Sequence, residues 1–441
     1  MNQPRAHRTR IHPAWIVAAV GLIALMAASG FRSAPSMLMI PLEEEFGWSR
    51  TGMGLAIGVN ILLYGVIAPF AAALMERFGI RIVTTVALVL ISLGMFASMF
   101  AVTEWQLVLT WGVIVGLGTG SMALVFVGSI VNLWFRKRQG LVSGILSAGQ
   151  ATGQLVFLPL VSNLILVSGW REATFVVAAL ALLAVPIVYI FLWNSPAERG
   201  RLPYGEAGEN PPRMTAQQAR ARRRALASDG PNAAVRALSA LKKASKVPSF
   251  WALVAGFAIC GISTNGLVGA HFIPAAHDHG MSQPVAAALL AAVGVFDVVG
   301  TILSGWLTDR VNPRILLAIY YAGRGLSLLA LPALLSATPG PPLILFIVFY
   351  GLDWVATVPP TMAICREVFG AKDGTIVFGW VFTAHQVGAS IAAVLAGVVR
   401  DQTGEYTLAW LSAAVLCAVA AAVSLSIKKV KTEPAEPVRQ T

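Results

Sequence analysis

Residues 74–81 read LMERFGIR and residues 307–314 read LTDRVNPR, and each octapeptide joins two long apolar segments. The two stretches carry Leu, an acidic residue, Arg and a second Arg in one register, at Leu74/Leu307, Glu76/Asp309, Arg77/Arg310 and Arg81/Arg314. A short charged loop that returns in the second half of a hydrophobic chain indicates a duplicated membrane bundle. Such halves usually enclose a solute site, so the repeat bears on function as well as on fold.

The composition is that of a membrane protein. Of the 441 residues, 57% are hydrophobic and 12% are charged, whereas soluble domains carry about 25% charged residues. Apolar runs of about 20 residues recur, and each is long enough to cross a bilayer core. The pattern predicts an all-α membrane protein with twelve transmembrane helices in two pseudo-symmetric six-helix halves. The predicted spans are 14–40, 51–73, 82–102, 107–133, 140–166, 172–194, 249–273, 285–307, 315–336, 342–364, 375–399 and 407–427.

A polar gap divides these spans six and six. It contains prolines and an arginine cluster at 220–224, and it has no apolar run. We predict a basic linker here, partly helical at 214–226. The predicted domains are an N-terminal tail at 1–13, an N-terminal bundle at 14–194, the linker at 195–248, a C-terminal bundle at 249–427 and a C-terminal tail at 428–441.

The positive charge of the chain indicates its topology. Most of the 32 Lys and Arg residues fall in the tails, the linker and the loops on one side of the predicted bundle. Positive loops stay on the cytoplasmic side during insertion, so both termini are expected to be cytoplasmic, in a bacterial inner membrane. We attribute the net charge of +12 to this bias and not to nucleic-acid binding. The expected partners are a solute, protons and the lipid bilayer, and the chain is expected to act as a monomer.

The repeated loops resemble the loop 2–3 and loop 8–9 motif of the major facilitator superfamily, over residues 14–427. The segment WFRKRQGLVSGILSAG at 134–149 is similar to the signature that enters helix 5 of monocarboxylate transporters and oxalate/formate antiporters. Its glycines, Gly140, Gly144 and Gly149, would let helix 5 approach a neighbour closely. The resemblance implies a secondary transporter that is not an enzyme and holds no cofactor.

The chain departs from the monocarboxylate pattern at three places. The family's acidic-Gly-aromatic run before helix 1 is replaced by His12-Pro13-Ala14-Trp15, and its helix 8 arginine is replaced by Thr301. The position of the family's helix 1 lysine corresponds roughly to Ser36. Any charge that binds an anion must therefore come from elsewhere, and the substrate stays open.

Three ionisable residues lie deep in the C-terminal spans, where each charge costs about 2.5 kcal/mol or more. Asp297 occupies the Asp position of the family's helix 8 motif, and we predict that it carries a proton or contacts the solute; the alternative is a hydrogen-bonded structural role. Arg324 and Asp353 are predicted to form a structural pair, because an unpaired charge there would be prohibitive. If Asp353 faces the cavity instead, it competes with Asp297 for the proton.

Arg32 is the candidate anion clamp of the N-terminal half. It lies between Gly30 and Pro35, which suggest a local break in span 1. Broken helices line cavities, and a guanidinium there would bind a carboxylate. The alternative is an interfacial arginine paired with an acid at 43–45.

Other polar residues inside spans are candidate solute contacts. His385 titrates near working pH and would bind an anion or carry a proton, or it is a satisfied core residue. Hydrogen-bond contacts are predicted from Gln386, Asn60, Tyr64 and Asn265. A metal site at His271, His277 and His279 lacks acid or Cys partners, so no metal is predicted. The chain has no Walker loop, and the glycines at 116–120 indicate close helix packing instead of phosphate binding.

In family terms the repeated loops form a conformational latch, which holds the cytoplasmic side closed while the site faces outward. Simple solvation of the loops is the alternative. The latch residues are Glu76, Arg77, Arg81, Asp309, Arg310 and Arg314.

These features predict proton-coupled symport of a small organic anion, a monocarboxylate, by alternating access. Arg32 and His385 would attract the carboxylate and Asp297 would carry the proton. An alternative keeps the fold and changes the solute to a vitamin such as riboflavin or to a drug that is exported. A third hypothesis is a membrane receptor that uses the linker as its output.

Overall fold

The computed structural model describes residues 12–122, 124–215, 217–218, 221 and 233–428. The side chains of some helical residues, Arg32 and Glu76 among them, lie outside that description. The described chain is helical, and its strand pairing is confined to one isolated bridge between Phe135 and Tyr204.

Two successive sets of six long helices account for most of the described residues. In the first half they are α1 (Pro13–Phe46), α2 (Arg50–Phe78), α3 (Ile80–Ser98), α4 (104–134), α5 (Gln139–Ser168) and α6 (Trp170–Phe191). In the second half they are α7 (Pro248–Asp278), α8 (Gln283–Thr308), α9 (Pro313–Leu334), α10 (Pro341–Gly370), α11 (Asp373–Thr403) and α12 (Thr407–Ser426). Each predicted span therefore has a helical counterpart.

Two of these helices contain π-helical segments. In α4 this segment is Val108–Val115, and residues 121–122 of the same helix form a turn. In α7 it is Ile262–Val268. Such bulges often occur at functional sites.

Within the described ranges, nine helices are long and apolar enough to cross a membrane: α2, α3 and α6 to α12. Helices α1 and α5 contribute shorter apolar helices, Pro13–Ser29 and Val156–Ser168. Helices satisfy their own backbone groups, which is what spanning a hydrocarbon layer requires.

The repeated loops make the same contact in each half. Arg81 Nε donates to the carbonyl of Leu192 at the end of α6, at 2.8 Å. Arg314 Nε donates to the carbonyl of Ile427 at the end of α12, also at 2.8 Å. Each arginine thus satisfies a carbonyl group at the end of the last helix of its own half. The sequence repeat is therefore also a repeat of contacts.

Helix α1 differs from its predicted shape. It runs as one helix from Pro13 to Phe46, so the break that we predicted between Gly30 and Pro35 is wrong. A proline withdraws a single backbone donor, and the other bonds of the adjoining turns can keep a helix continuous.

Helix α5 packs against α1, and its glycines differ in their surroundings. A β-carbon on Gly149 would lie 2.5 Å from Leu22 Cδ1, whereas one on Gly144 would meet open space. The predicted close approach is confirmed at Gly149 and is wrong at Gly144.

The linker contains a helix that hydropathy did not predict, Ala233–Ala244, named here the linker helix. Its Ala237, Ala240 and Ala244 are buried. The carbonyl of Ala237 accepts a hydrogen bond from Trp380 Nε1 of α11, at 2.9 Å, and the helix also contacts α2. The linker helix therefore touches both halves. Of the predicted helix at 214–226, residues 217–218 and 221 are helical and most of the rest lies outside the described residues.

The bundle has two ends, and each end carries a different set of loops. The linker face carries the linker and the loops that contain Arg77 and Arg310. The opposite end, named here the Arg50 face, carries the starts of α2, α8 and α12 and the ends of α1, α7 and α11.

Candidate functional site

A central cavity lies between the two halves. Its volume is about 830 Å³, counting the part that is continuous with solvent. Its described lining comes from α1, α2, α4, α5, α7, α8, α10 and α11, and none of it from α3, α6, α9 or α12. The polar and aromatic side chains of that lining are Ser36, Asn60, Tyr64, Trp111, Asn265, Asp297, Trp354 and Gln386.

Five residues predicted from sequence therefore meet at one cavity: Asn60, Tyr64, Asn265, Asp297 and Gln386. The described lining includes neither His385 nor the two members of the deep pair in α9 and α10. The Arg32 side chain lies outside the described residues.

Asp297 lies on the cavity wall and is also bonded to two neighbouring elements. Its Oδ1 accepts from Thr301 Oγ1, at 3.1 Å, within α8. The same oxygen accepts from the backbone N–H of Val355 in α10, at 3.1 Å. Asp297 therefore joins the cavity to the backbone of another helix.

The Val355 N–H is free for this bond because α10 is broken at 354–357. Pro359 and Pro360 follow the break, and neither has an N–H to continue the helical bonding. Side chains of α8 and α9 bind the backbone groups that the break exposes. Ser304 Oγ donates to the carbonyl of Ala356, and Arg324 Nη2 donates to that of Asp353 at 2.6 Å. Non-helical backbone at membrane depth is tolerated where the protein satisfies it in this way.

Arg324 and Asp353 form a fully buried pair beside the break. Arg324 Nε lies 2.6 Å from Asp353 Oδ2, and the arginine side chain is 0% exposed. Its Nη1 donates to Cys260 Sγ at 2.9 Å. The guanidinium group thus neutralises the acid and binds the broken helix. Removing one partner of such a pair leaves an uncompensated buried charge.

His385 lies behind the cavity wall and is enclosed by aromatic rings. Its ring stacks on Phe382 at an interplanar angle of 7°, with centroids 5.8 Å apart, and its centroid lies 5.0 Å from that of Phe257. Its Nε2 lies 3.5 Å from Thr264 Oγ1. The next residue, Gln386, reaches the lining.

The N-terminal wall of the cavity is braced by a neutral side chain. Asn60 Nδ2 of α2 donates to the carbonyl of Trp111, at 3.0 Å, within the π-helical segment of α4. Tyr64, one turn along α2, makes an edge contact with Phe382 of α11, with ring centroids 6.3 Å apart. These contacts position α4 on α2 and bring α2 to the other half.

A cluster of charged residues joins the halves at the Arg50 face. Arg50, at the start of α2, donates to Glu43 at 2.7 Å and to Asp278 of α7 at 3.0 Å. Asp278 also accepts from Arg400 Nε, at 2.7 Å. The carboxylate of Asp401 accepts from the backbone N–H groups of Arg50 and Thr51. These residues, with Tyr406, are named here the Arg50 cluster.

Two buried rings complete this cluster. Arg50 Nη1 donates to the phenol oxygen of Tyr406, at 3.1 Å. Burial raises the pKa of Tyr406 to about 12, so the phenol keeps its proton at neutral pH. His271 Nδ1 lies 3.2 Å from that oxygen and its Nε2 lies 2.8 Å from the carbonyl of Ala393. This arrangement requires His271 Nε2 to donate to Ala393 and Nδ1 to accept from Tyr406.

Close backbone packing reinforces the Arg50 face. A β-carbon on Gly54 of α2 would lie 2.4 Å from the carbonyl oxygen of Ala393 in α11. Only glycine allows the two helices to approach so closely at this point.

The latch arginines make their described contacts within their own halves or, for Arg81, also with the start of the linker. Arg81 lies 3.2 Å from Glu198, and Arg314 lies 2.9 Å from Glu367. Arg77 lies over the ring of Phe78, and Arg310 over that of Trp306. Asp309 caps the end of α8, and the side chain of Glu76 lies outside the described residues.

Among the described residues, no group of three or more His, Cys, Asp or Glu side chains is arranged to bind a metal ion. His271, which sequence placed in a histidine-rich exit, is bonded to Tyr406 and Ala393 instead.

Sequence reasoning missed Trp111, Trp354 and the Arg50 cluster. Pro359-Pro360 is a readable signal for the break beside Trp354. The cluster has no such signal, because Arg50 and Asp278 lie 228 positions apart in the chain.

A duplicated helical bundle with a central cavity between its halves is an architecture that secondary transporters use. The chain matches the model of the Major Facilitator Superfamily at residues 20–365 and 264–441, and it belongs to that family. It is accordingly a multi-pass membrane transporter and not an enzyme.

Its relatives are transporters. It is 23% identical to an uncharacterized MFS-type transporter, YcxA, of Bacillus subtilis, covering 91% of this chain and 92% of that protein. It is 26% identical to monocarboxylate transporter 13 of Rattus norvegicus, covering 81% and 75%. It is 25% identical to monocarboxylate transporter 11 of Homo sapiens, covering 90% and 79%.

Solved structures share the fold. A D-xylose–proton symporter matches with a TM-score of 0.71 at 16% identity, covering 94% of this chain and 97% of that one. An inward-facing bacterial homologue of the human lysosomal transporter Spinster matches with a TM-score of 0.71 at 16% identity, covering 95% and 97%.

Proposed function

We propose that the protein is a secondary active transporter that carries a small organic anion, a monocarboxylate, together with protons by alternating access. The observation that carries this proposal is the position of Asp297, which lines the cavity and is bonded to the break in α10. The names of the curated relatives, monocarboxylate transporters 11 and 13, support the solute class.

Asp297 would couple a proton to a conformational change. As a carboxylate, it accepts strong hydrogen bonds from Thr301 and from the Val355 N–H. Protonation removes the charge and weakens the bond to Val355, which frees the broken segment of α10 to shift. When a proton and an anion bind together, their charges cancel and the loaded cavity is nearly neutral. Less charge must then cross the membrane.

The solute would contact groups from both halves. Asn265, Gln386 and Tyr64 line the cavity, and we assign their amide and hydroxyl groups to the solute. We assign Arg32 the role of carboxylate clamp, with His385 as a second basic group close behind the wall. The amide of Asn60 is engaged by the Trp111 carbonyl, so we assign it the positioning of α4.

In alternating access, the cavity would be closed first at one end of the bundle and then at the other. The Arg50 cluster ties the halves together at the Arg50 face, which supports solute access from the linker face in this state. In the opposite state the latch residues would close the linker face. The positive charge of the linker supports a cytoplasmic position for it and for both termini, in the cell membrane. Since one chain encloses the whole cavity, we propose the monomer as the working unit.

Proteoliposomes test this function. Radiolabelled lactate, pyruvate and bulkier acids would be offered with and without an imposed pH gradient, using liposomes without protein as the control for diffusion. We expect accumulation of an acid that requires the gradient and is abolished by a protonophore. Failure of every acid to accumulate would contradict the proposal.

One observation favours a second candidate, a transporter for a non-carboxylate solute such as a flavin or a drug. The described cavity lining contains an acid, Asp297, and no basic side chain. Uptake of a neutral solute at a rate independent of external pH would support this candidate over the first.

A further inference from the structure

We propose that the cavity selects a planar aromatic or heteroaromatic carboxylic acid, whose ring packs on Trp354 while its carboxylate accepts from the indole N–H of Trp111. This inference rests on the proposed transport of organic acids and specifies which acids bind.

The two tryptophans reach the cavity from opposite halves. Trp111 belongs to the π-helical segment of α4, and Trp354 is the first residue of the break in α10. Helices α4 and α10 are the fourth helices of their halves. A solute between the halves thus meets one indole from each, both at places where the helix departs from regular geometry.

Trp354 is held in place before any solute arrives. Its ring makes an edge contact with Tyr350, with centroids 5.7 Å apart and planes at 67°. Its Cη2 lies 3.8 Å from the place where a β-carbon on Gly269 would be. On either side of it in sequence, Asp353 is bonded to Arg324, and the Val355 N–H is bonded to Asp297. A preorganised aromatic surface loses little conformational freedom on binding.

Trp111 offers a donor that the described protein does not use. Its side chain is 3% exposed, and its Nε1 has no hydrogen-bond partner among the described residues. A buried indole N–H usually has a partner, and leaving it without one is costly. Trp111 is among the residues that line the cavity, which makes its buried N–H the candidate donor to the carboxylate.

The rest of the wall suits a flat apolar body. Between the polar groups the lining is formed by Ile57, Ile61, Leu158, Leu290 and Val293. Aromatic stacking adds roughly 0.5–1.5 kcal/mol beyond burial of area, which is about a 2- to 13-fold gain in affinity.

Calorimetric titration of the purified protein with benzoate and cyclohexanecarboxylate tests this inference. The two acids have the same charge and similar size, and only benzoate is planar; lactate serves as the small-acid reference. We expect several-fold tighter binding of benzoate than of cyclohexanecarboxylate. The variant Trp354→Leu should remove that preference, and Trp354→Phe should restore part of it. Trp105→Leu, at a 73% exposed position, is the matched control and should leave it unchanged.

The outcomes separate this inference from the function on which it rests. Equal binding of the two acids, or a preference for benzoate that survives in Trp354→Leu, would overturn the aromatic selectivity and leave acid transport standing. Binding of none of the three acids would overturn both. Thermal unfolding of each variant shows whether its fold is intact. If Trp354→Leu does not fold, the ratio of benzoate to cyclohexanecarboxylate affinity is compared between Trp354→Phe and the wild type instead.

Discussion

The two halves of the bundle are alike at the linker face and different at the cavity. Arg81 and Arg314 make the same bond, to the carbonyl that ends α6 and α12 respectively. In the cavity wall a neutral amide, Asn60, binds the backbone of α4, whereas behind the opposite wall a guanidinium group, Arg324, binds that of α10. The two halves share this frame, whereas the buried ion pair beside the cavity, Arg324 with Asp353, belongs to the second half.

This difference assigns distinct tasks to the two walls. The wall of α2 and α4 is neutral in its described part and positions an indole. The wall of α8 and α10 holds Asp297, whose carboxylate reaches both the cavity and a broken helix. We therefore propose that a change of charge in the cavity reaches the backbone through Asp297, in the second half.

The largest expected effect comes from removing Arg324, which is bonded to the Asp353 carboxylate and to the backbone of α10. Arg324→Ala leaves Asp353 buried without its partner and should lower the free energy of unfolding by about 3–5 kcal/mol. Titration with a denaturing detergent in mixed micelles would measure it. Arg136→Ala, which removes an exposed ion pair with Glu206, is the control and should cost about 0–1 kcal/mol. An equal loss of unfolding free energy in the two variants would mean that the buried pair does not stabilise the fold.

A smaller effect is expected at the Arg50 face. Arg50→Gln removes the guanidinium bonds to Glu43 and Asp278, whose carboxylates are partly exposed to solvent, and should cost about 1.5–3 kcal/mol in total. The halves should separate at this face in a larger fraction of molecules. Spin labels at Val102→Cys and Gln402→Cys, both exposed, would report longer distances.

Arg171→Gln is the control for that experiment, because Arg171 lies at the same end but binds Glu45 of its own half. An unchanged distance distribution in Arg50→Gln would show that the cluster does not hold the halves together.

The smallest effect is expected at Asn60, the neutral side chain that binds the backbone of α4. Asn60→Ala removes one buried hydrogen bond to the Trp111 carbonyl and should cost about 0.5–1.5 kcal/mol in the same unfolding assay. Asn163→Ala removes a similar bond, to the Pro159 carbonyl, at an exposed position and should cost less. If Asn60→Ala cost as much as Arg324→Ala, the contrast between the halves would be wrong.

Hydropathy and the repeated loops were enough to predict the helices, because a span is a local property of about 20 consecutive residues. Five cavity residues were also predictable, since polar groups inside spans are costly and therefore conspicuous. The Asp297–Val355 bond was not, because it depends on which backbone groups a break in another helix leaves free. The linker helix was missed because its buried face is alanine, which barely registers in a hydropathy profile.

We propose that Asp297 couples a proton to solute movement, and a single substitution can separate these two processes. Asp297→Asn keeps an oxygen that can accept from Val355 but cannot ionise in the working pH range. In proteoliposomes we expect this variant to exchange labelled for unlabelled acid at equilibrium at a near-normal rate, and to lose accumulation driven by a pH gradient. Accumulation at the wild-type level in Asp297→Asn would contradict the account.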